Sequence, residues 1–371
     1  MPHLTLISAS SLPTTLKPPG ASGLSADGEA AVAHLLREGE APNTTASYRS
    51  ALKYWAAWFS GRYQSALALP VAPAVVLQFV VDHVERTTDG GLVHELPQSL
   101  DAALVASGHK TKQGALALAT VLHRIAVLAK IHSMQDLPNP CADPLVRELL
   151  RQTRRAYAKR GVGPARKAAL TREPLDALLA TCDGSLRGLR DRALLLLAWA
   201  SGGRRRSEVV RVTVENTHKM GERQWVHRLS HDKTHQAGVE RGENDKPIVG
   251  IAADALEAWL AVSGIRSGAI FRRIRKGTTV GEPLSPGAVR KIVMDRCAMA
   301  GIDGDFSAHS LRSGFVTEAG RQNVPLGDTM AMTGHASVVT VMRYFRSGSL
   351  STSPAARLLD ETGPPREDSD Q

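Results

Sequence analysis

Apolar side chains recur every three to four residues along most of the chain, which is the period of an amphipathic helix. In the first half this spacing predicts helices from Thr44 or Thr45 to Trp58, 73–84, 111–132 and 144–159. Trp55, Trp58 and Phe59 fall on one face of the first helix and are predicted to be core. Residues 41–158 are therefore predicted to form an all-helical domain.

The second half mixes helical spacing with two short apolar runs that favour strands. Leu186 to Ala200 reads as a buried helix that ends at Gly202-Gly203. Strands are predicted at 224–230 and 247–251, and further helices at 253–262, 286–300, 309–322, 326–333 and 338–345. Residues 169–349 thus predict a mainly helical domain with a small antiparallel sheet.

Three segments lack the pattern of a packed domain. Residues 1–40 are rich in Ser, Pro, Gly and Ala and are predicted to be flexible. Residues 159–168 combine glycine, proline and positive charge, which is typical of a linker between domains. Ser347-Gly348-Ser349 predicts a flexible joint, and residues 350–371 predict a short helix with Leu358 and Leu359 exposed and an acidic tail.

Composition adds a polyanionic partner to this picture. The 371 residues carry a net charge of +10 with a pI of about 9.8, and both ends are acidic, so the positive charge is concentrated in the folded middle. Three widely spaced cysteines predict neither a disulfide framework nor a zinc site. No apolar run is long enough for a membrane span and no signal peptide is recognised, so a cytoplasmic protein is expected.

The side chains with the strongest chemical implication come in a fixed order: Arg205, Lys233, His309, Arg312, His335 and Tyr344. Arginine binds phosphate through a planar fork of donors, histidine and lysine move protons, and tyrosine can form a covalent intermediate. Together they are what metal-free cutting of a phosphodiester requires. No metal and no other cofactor is therefore predicted.

Local spacing gives each arginine a setting. Glu208 lies three residues after Arg205, within reach of its guanidinium. His309 and Arg312, also three residues apart, share one face of a predicted helix. Replacement of the neighbouring Arg204 by alanine is expected to be much milder than loss of the fork at Arg205.

The order and spacing of these residues resemble the tyrosine recombinases, also called the phage integrase family. Further stretches are similar to its Cre-like members, namely 54–58, Lys110-Thr111, 122–124 and 270–276. The resemblance implies that Tyr344 is the nucleophile, that Arg205, His309, Arg312 and His335 surround the phosphate, and that Lys233 is the general acid. Lys246, or the histidines at 231 and 235, remain alternatives for that last role.

The resemblance also implies a core-binding (SAM-like) domain and a catalytic domain that close as a C-shaped clamp on a double-stranded recombination site, with a homotetramer on paired sites. Further DNA contacts are predicted at Lys53, Lys110, Lys112, Gln113, Arg166, Lys167, Arg273, Arg275, Lys276, Arg290 and Lys291. The alternatives are a type IB topoisomerase-like strand transferase and a DNA-binding protein without catalysis. A covalent protein–DNA adduct would separate the second from an enzyme.

Overall fold

The structure is a computed structural model that describes residues 42–163, 168–229, 244–276 and 279–349. These residues fall into two compact units that divide between Ala165 and Arg166. The predictions for residues 1–40 and 350–371, and for Arg166, Lys167 and Lys233, lie outside the described residues. The finer division into domains and linker stays a prediction.

The N-terminal unit is helical, apart from one small hairpin. Its helices are α1 (Pro42–Tyr63), α2 (Pro73–His83), α3 (Gln98–Ala106), α4 (Leu118–Met134) and α5 (Pro144–Lys159), and its strands are β1 (Arg86–Thr88) and β2 (Gly91–Val93). Helix α5 begins where expected, because the carboxylate of Asp143 accepts the backbone N–H groups of Leu145 and Val146 and Pro144 fills the first turn.

The core of this unit is built on the aromatic face of α1. Trp55 and Trp58 are fully buried, as predicted, and both rings pack against Phe79 of α2. The indole N–H of Trp58 donates to the buried Asp82 carboxylate at 2.9 Å. Phe59 lies at the edge of the same core. The tryptophans are therefore structural and offer no platform for stacking bases.

The predicted helix over 111–132 is wrong in its first turns, because α4 begins only at Leu118. Residues ahead of it form a loop around a buried ion pair between Lys110 and Asp101. Asp101 also accepts the backbone N–H of Gly114 at 2.7 Å, and the Lys110 ammonium donates to the Gly114 carbonyl. This polar centre satisfies backbone groups that a helix would otherwise pair.

The C-terminal unit contains eight helices and five strands within its described residues. The helices are α6 (Arg172–Ala180), α7 (Leu186–Ala200), α8 (Arg206–Val209), α9 (Ile251–Ser263), α10 (Pro286–Met299), α11 (Ala308–Arg321), α12 (Leu326–Thr333) and α13 (Val338–Ser349). Strands β3 (Thr217–Gly221), β4 (Gln224–Arg228) and β5 (Asp245–Val249) form one antiparallel sheet, and β6 (Arg272–Arg275) pairs with β7 (Thr279–Pro283). The mainly helical class with a small antiparallel sheet is confirmed.

Helix α11 runs through the middle of this unit and is held on two sides by close backbone contacts. A Cβ on Gly314 would overlap the carbonyl of Leu170, while Gly320 packs against the backbone of Phe345 in α13. Gly348 of α13 in turn packs against the carbonyl of Thr317. The flexible joint predicted at 347–349 is therefore wrong, because α13 continues to Ser349 along α11. Because these glycines let the two backbones touch, α13 lies firmly along α11.

Candidate active site

Arg205 stands at the turn between α7 and α8, where its backbone and side chain both bind Glu208. The guanidinium Nη1 lies 2.6 Å from Glu208 Oε1, and the Arg205 backbone N–H donates to Oε2 at 3.2 Å. Glu208 is buried, whereas about a third of the Arg205 side chain, 32%, is exposed. The carboxylate thus anchors one side of a guanidinium whose other side can meet a ligand.

The preceding glycines bring this turn against two other elements. Gly202 and Gly203 have φ angles of +94° and +68°, which side chains with a Cβ rarely adopt. A Cβ on Gly203 would overlap Arg312 of α11, and one on Gly202 would overlap the Met332 carbonyl of α12. The turn that presents Arg205 is therefore packed directly on the helix that presents Arg312.

His309 and Arg312 begin α11, whose first turn is fixed by a capping box. The Ser307 hydroxyl accepts the His309 backbone N–H at 3.2 Å, and the Ser310 hydroxyl accepts the Ser307 N–H at 2.9 Å. His309 is exposed and Arg312 is buried, with 3% of its surface accessible. The predicted shared face is present, with the imidazole at its outer edge.

His335 has both ring nitrogens engaged. Its Nε2 accepts from Arg312 Nε at 3.2 Å, so the proton lies on Nδ1, which donates to the Thr333 hydroxyl at 2.7 Å. Removal from water, followed by the positive charges of Arg312 and Arg205, lowers the pKa of His335 to about 4. The neutral ring therefore orients the Arg312 guanidinium, a role that its position after a turn does not predict.

Tyr344 lies on α13 with its hydroxyl next to His309. The distance from Tyr344 Oη to His309 Nε2 is 3.4 Å, and the Tyr344 carbonyl accepts from the Thr317 hydroxyl of α11 at 3.4 Å. The His309 ring keeps a solvent-facing edge, and yet the protein around it displaces water. This desolvation, with the charges of Arg312 and Arg205, lowers the pKa of His309. A neutral imidazole beside the phenol can accept its proton.

Comparison with known proteins places this arrangement. Residues 168–349 match the phage integrase family. An integrase/recombinase XerD homolog of Selenomonas ruminantium is 32% identical over 242 residues, which cover 62% of this chain and 69% of that protein. The tyrosine recombinase XerD of Corynebacterium glutamicum is 30% identical over 161 residues, which cover 42% of this chain and 48% of that protein. The chain belongs to the phage integrase family.

Solved structures show the same fold at low sequence identity. The XerH site-specific recombinase in a post-cleavage complex with palindromic difH substrate aligns with a TM-score of 0.54 and 15% identity, over 85% of this chain and 79% of that one. A lambda integrase dimer bound to a COC′ core site aligns with a TM-score of 0.53 and 16% identity, over 85% and 92%. Together with the family match and the relative that is 32% identical, this makes the protein a tyrosine recombinase, an enzyme of site-specific recombination. The closer likeness to Cre-like members stays a prediction.

Two predicted features of this tyrosine recombinase need revision near the site. Lys246, the alternative general acid, is buried in β5 and its Nζ donates to the Ala331 carbonyl at 2.6 Å. Arg204 is almost fully buried, with 1% exposed, and its Nη2 donates to the Met332 carbonyl at 2.6 Å. The structure does not support the expectation that Arg204→Ala is mild, because the substitution would remove a buried guanidinium and its hydrogen bond to the Met332 carbonyl.

The predicted DNA contacts of the recombinase divide by exposure. Lys110 is a correction, because its ammonium is buried against Asp101 and the Gly114 carbonyl and cannot reach a phosphate without breaking that pair. The others within the described residues are exposed, namely Lys53, Lys112, Gln113, Arg273, Arg275, Lys276, Arg290 and Lys291. Lys291 is paired with Asp295 at 2.8 Å.

No helix within the described residues is long and apolar enough to cross a membrane.

Proposed function

We propose that this recombinase cuts and rejoins double-stranded DNA at a specific site through a 3′-phosphotyrosyl intermediate. Tyr344 is the nucleophile, Arg205 and Arg312 bind the non-bridging oxygens of the phosphate, and His309 is the proton acceptor. The observation that carries the proposal is the 3.4 Å distance between Tyr344 Oη and His309 Nε2. His309 lies on α11, the helix that also presents Arg312.

In the proposed reaction each bond that breaks is replaced by one that forms, and side chains supply the positive charge that the phosphate needs. Tyr344 Oη attacks phosphorus and loses its proton to His309, the bond from phosphorus to the 5′-oxygen breaks, and the leaving oxygen takes a proton from Lys233. The guanidiniums of Arg205 and Arg312 offset the charge that grows on the five-coordinate phosphate. A 5′-hydroxyl then attacks the phosphotyrosine and gives its proton to Lys233, the bond from phosphorus to Tyr344 Oη breaks, and the phenol regains its proton from His309, which restores the phosphodiester without ATP.

Lys233 is supported as the general acid because the alternative, Lys246, is poorly placed for that role. Lys246 is buried and bound to the Ala331 carbonyl, so protonating a leaving oxygen would require it to abandon that contact. Lys233 stands in the connection between β4 and β5, where the family resemblance implies the acid. Glu208 acts in support by holding Arg205.

A duplex substrate is supported by the basic charge of the chain and by the exposed cations on both units. The two units would close on the duplex as a clamp, joined by a linker that includes Arg166 and Lys167. The two structural relatives described above were solved bound to a difH substrate and to a COC′ core site, which agrees with this substrate. Such an enzyme acts where DNA is, at the nucleoid in the cytoplasm.

The test is a nicked suicide duplex, in which the cleaved end diffuses away and the covalent adduct accumulates. Once the target site has been selected from random duplexes, the wild-type protein should form an adduct in EDTA, since arginines supply the positive charge. Tyr344→Phe removes only the hydroxyl and should form none while binding the duplex normally. Adduct formation by Tyr344→Phe at the wild-type rate would refute the assignment.

Strand exchange between two sites is proposed to use a homotetramer. The resemblance to Cre-like members suggests that the predicted helix with Leu358 and Leu359 docks on a neighbouring protomer. A protein truncated after Ser349 keeps α13 complete. It should bind a single site normally, lose cooperative binding to paired sites and fail to recombine them, as measured by gel shift and by a two-site recombination assay. Full recombination by the truncated protein would exclude this role.

A further inference from the structure

We propose that Arg204 and Lys246 are positioning residues that lock the end of α12, and with it His335 and Arg312, in register with Arg205. This inference rests on the proposed function, because it assigns a purpose to two buried cations next to the proposed active site. It separates Arg204 from the rest of the arginine triplet, in which Arg205 is partly exposed and Arg206 is exposed.

Arg204 bridges two parts of the site. Its Nη1 lies 3.5 Å from Glu208 Oε2, and the other oxygen of that carboxylate binds Arg205 at 2.6 Å. Its Nη2 reaches across to the Met332 carbonyl in the last turn of α12 at 2.6 Å. Through one guanidinium, the group that holds Arg205 is therefore connected to the helix that ends beside His335.

Lys246 adds a second cation to the same helix end. From β5 its Nζ donates to the carbonyl of Ala331, the residue before Met332, at 2.6 Å. The last carbonyls of a helix lack partners within the helix and carry the negative end of its dipole, so two buried cations are well placed there. The lysine and the arginine thus fix two successive carbonyls.

The chain turns immediately after this point. Gly334 ends α12 in the left-handed conformation, at φ +68°, and its N–H donates to the Met330 carbonyl at 2.7 Å. His335 follows and its Nε2 accepts from Arg312 Nε, while its Nδ1–H donates to the Thr333 hydroxyl, which in turn donates to the Thr329 carbonyl at 2.9 Å. A shift of the last turn of α12 would therefore move His335 and release Arg312.

The decisive variant is Arg204→Met, which keeps much of the apolar stem and removes the guanidinium. Cleavage is measured on the nicked suicide duplex at saturating DNA, per folded and DNA-bound protein. Because a misplacement of about 1 Å can cost about 10²-fold in rate, we expect a fall of roughly 10- to 100-fold with single-site affinity unchanged. Lys246→Met should also lower the cleavage rate. Arg206→Met is the matched control and should cleave at close to the wild-type rate.

A purely structural role is distinguished by a double-mutant cycle with His335→Ala. If Arg204 acts through His335, Arg204→Met should lose most of its effect on cleavage when His335 is already alanine. Equal fold-losses in both backgrounds, or a loss that disappears after correction for folded protein, would overturn the proposal.

Two further variants keep the outcome decisive. Should Arg204→Met not fold, Arg204→Lys is judged by the same criteria, since lysine retains the charge but cannot span Glu208 and Met332 together. Tyr344→Phe is run in parallel. An adduct with wild type and none with Tyr344→Phe means that the proposed function stands, whatever Arg204 shows.

Discussion

Each unit of the molecule contains a cation that is held by a carboxylate, and the two pairs differ in what remains open. In the N-terminal unit, 3% of the Lys110 side chain and 5% of Asp101 are exposed, and the backbone of Gly114 closes the pair. In the C-terminal unit, Glu208 is equally buried, but 32% of Arg205 is exposed. A carboxylate partner alone therefore does not identify an active-site cation; Arg205 differs from Lys110 because part of its side chain remains accessible from outside.

Histidines repeat the contrast. His83 of α2 accepts from the Tyr54 hydroxyl at 2.7 Å through Nε2 and donates to the Phe79 carbonyl at 2.7 Å through Nδ1. His335 uses the same two nitrogens in the same way, but its Nε2 partner is the guanidinium of Arg312. One ring is held neutral inside a core and the other is held neutral beside a cation, so the same tautomer serves packing in one unit and orientation in the other.

The largest effect is expected on stability, when the buried ion pair between Lys110 and Asp101 is broken. Lys110→Met leaves the Asp101 carboxylate buried without its ammonium, which should cost about 3–5 kcal/mol in the free energy of unfolding. Urea denaturation of the full chain, followed by tryptophan fluorescence to which Trp55 and Trp58 of this unit contribute, measures it.

The matched control for this prediction is the exposed neighbour two residues on. Lys112→Met should leave stability within about 0.5 kcal/mol. If Lys112 binds a phosphate, the same variant should weaken DNA binding and reduce the slope of log affinity against log salt by about 1. A stable Lys110→Met protein with weakened DNA binding would mean that Lys110, and not Lys112, faces the duplex.

For the Arg205–Glu208 pair, in which Arg205 is partly exposed, we expect an effect on the cleavage rate rather than on folding. Arg205→Lys keeps the positive charge but loses the planar fork, so adduct formation should fall by about 10² to 10³, with little change in unfolding free energy. Arg206→Lys, one residue on and exposed, should cleave almost normally. The reverse ranking of the two variants would show that the register of the arginine triplet is misassigned.

Long helices with caps could be predicted from the sequence because their signals are local. The bounds of α7 and α12 coincide with the prediction at both ends, since a regular apolar period is closed by Ser201-Gly202 in one case and by Gly334 in the other. Strands β4 and β5 overlap the strands predicted at 224–230 and 247–251, whereas β3, β6 and β7 were not predicted. Strand β6 is a run of arginines with one buried isoleucine, and only its pairing with β7 makes it a strand.

The candidate site shows the same division between local and long-range information. Residue type and order predicted which side chains to examine, and the i, i+3 spacing of His309 and Arg312 predicted their shared face. Burial of Arg204 was not predictable, because it depends on the Met332 carbonyl, 128 residues further along the chain. The tautomer of His335 likewise depends on Arg312, which lies in α11.

The smallest expected effect concerns pH and compares the two neutral histidines. Burial lowers the pKa of His83 to about 3, and that of His335 is about 4, against an ordinary value near 6.5 in the unfolded chain. Below pH 6.5 the unfolded chain therefore binds protons that the folded protein does not, so the free energy of unfolding should fall as the pH drops from about 6.5 towards 4. A fully buried histidine contributes at most about 1.4 kcal/mol per pH unit.

His83 should approach that limit, whereas His335, which is partly exposed, should contribute less because solvent screens its neighbours. Urea unfolding of the DNA-free protein at pH 7 and pH 5 measures the sum, and ring NMR titration assigns it to each histidine. If His335 titrated near 6.5 in the folded protein, its ring would not be held neutral by burial and by the nearby arginines, and the comparison between the two units would lose its second half.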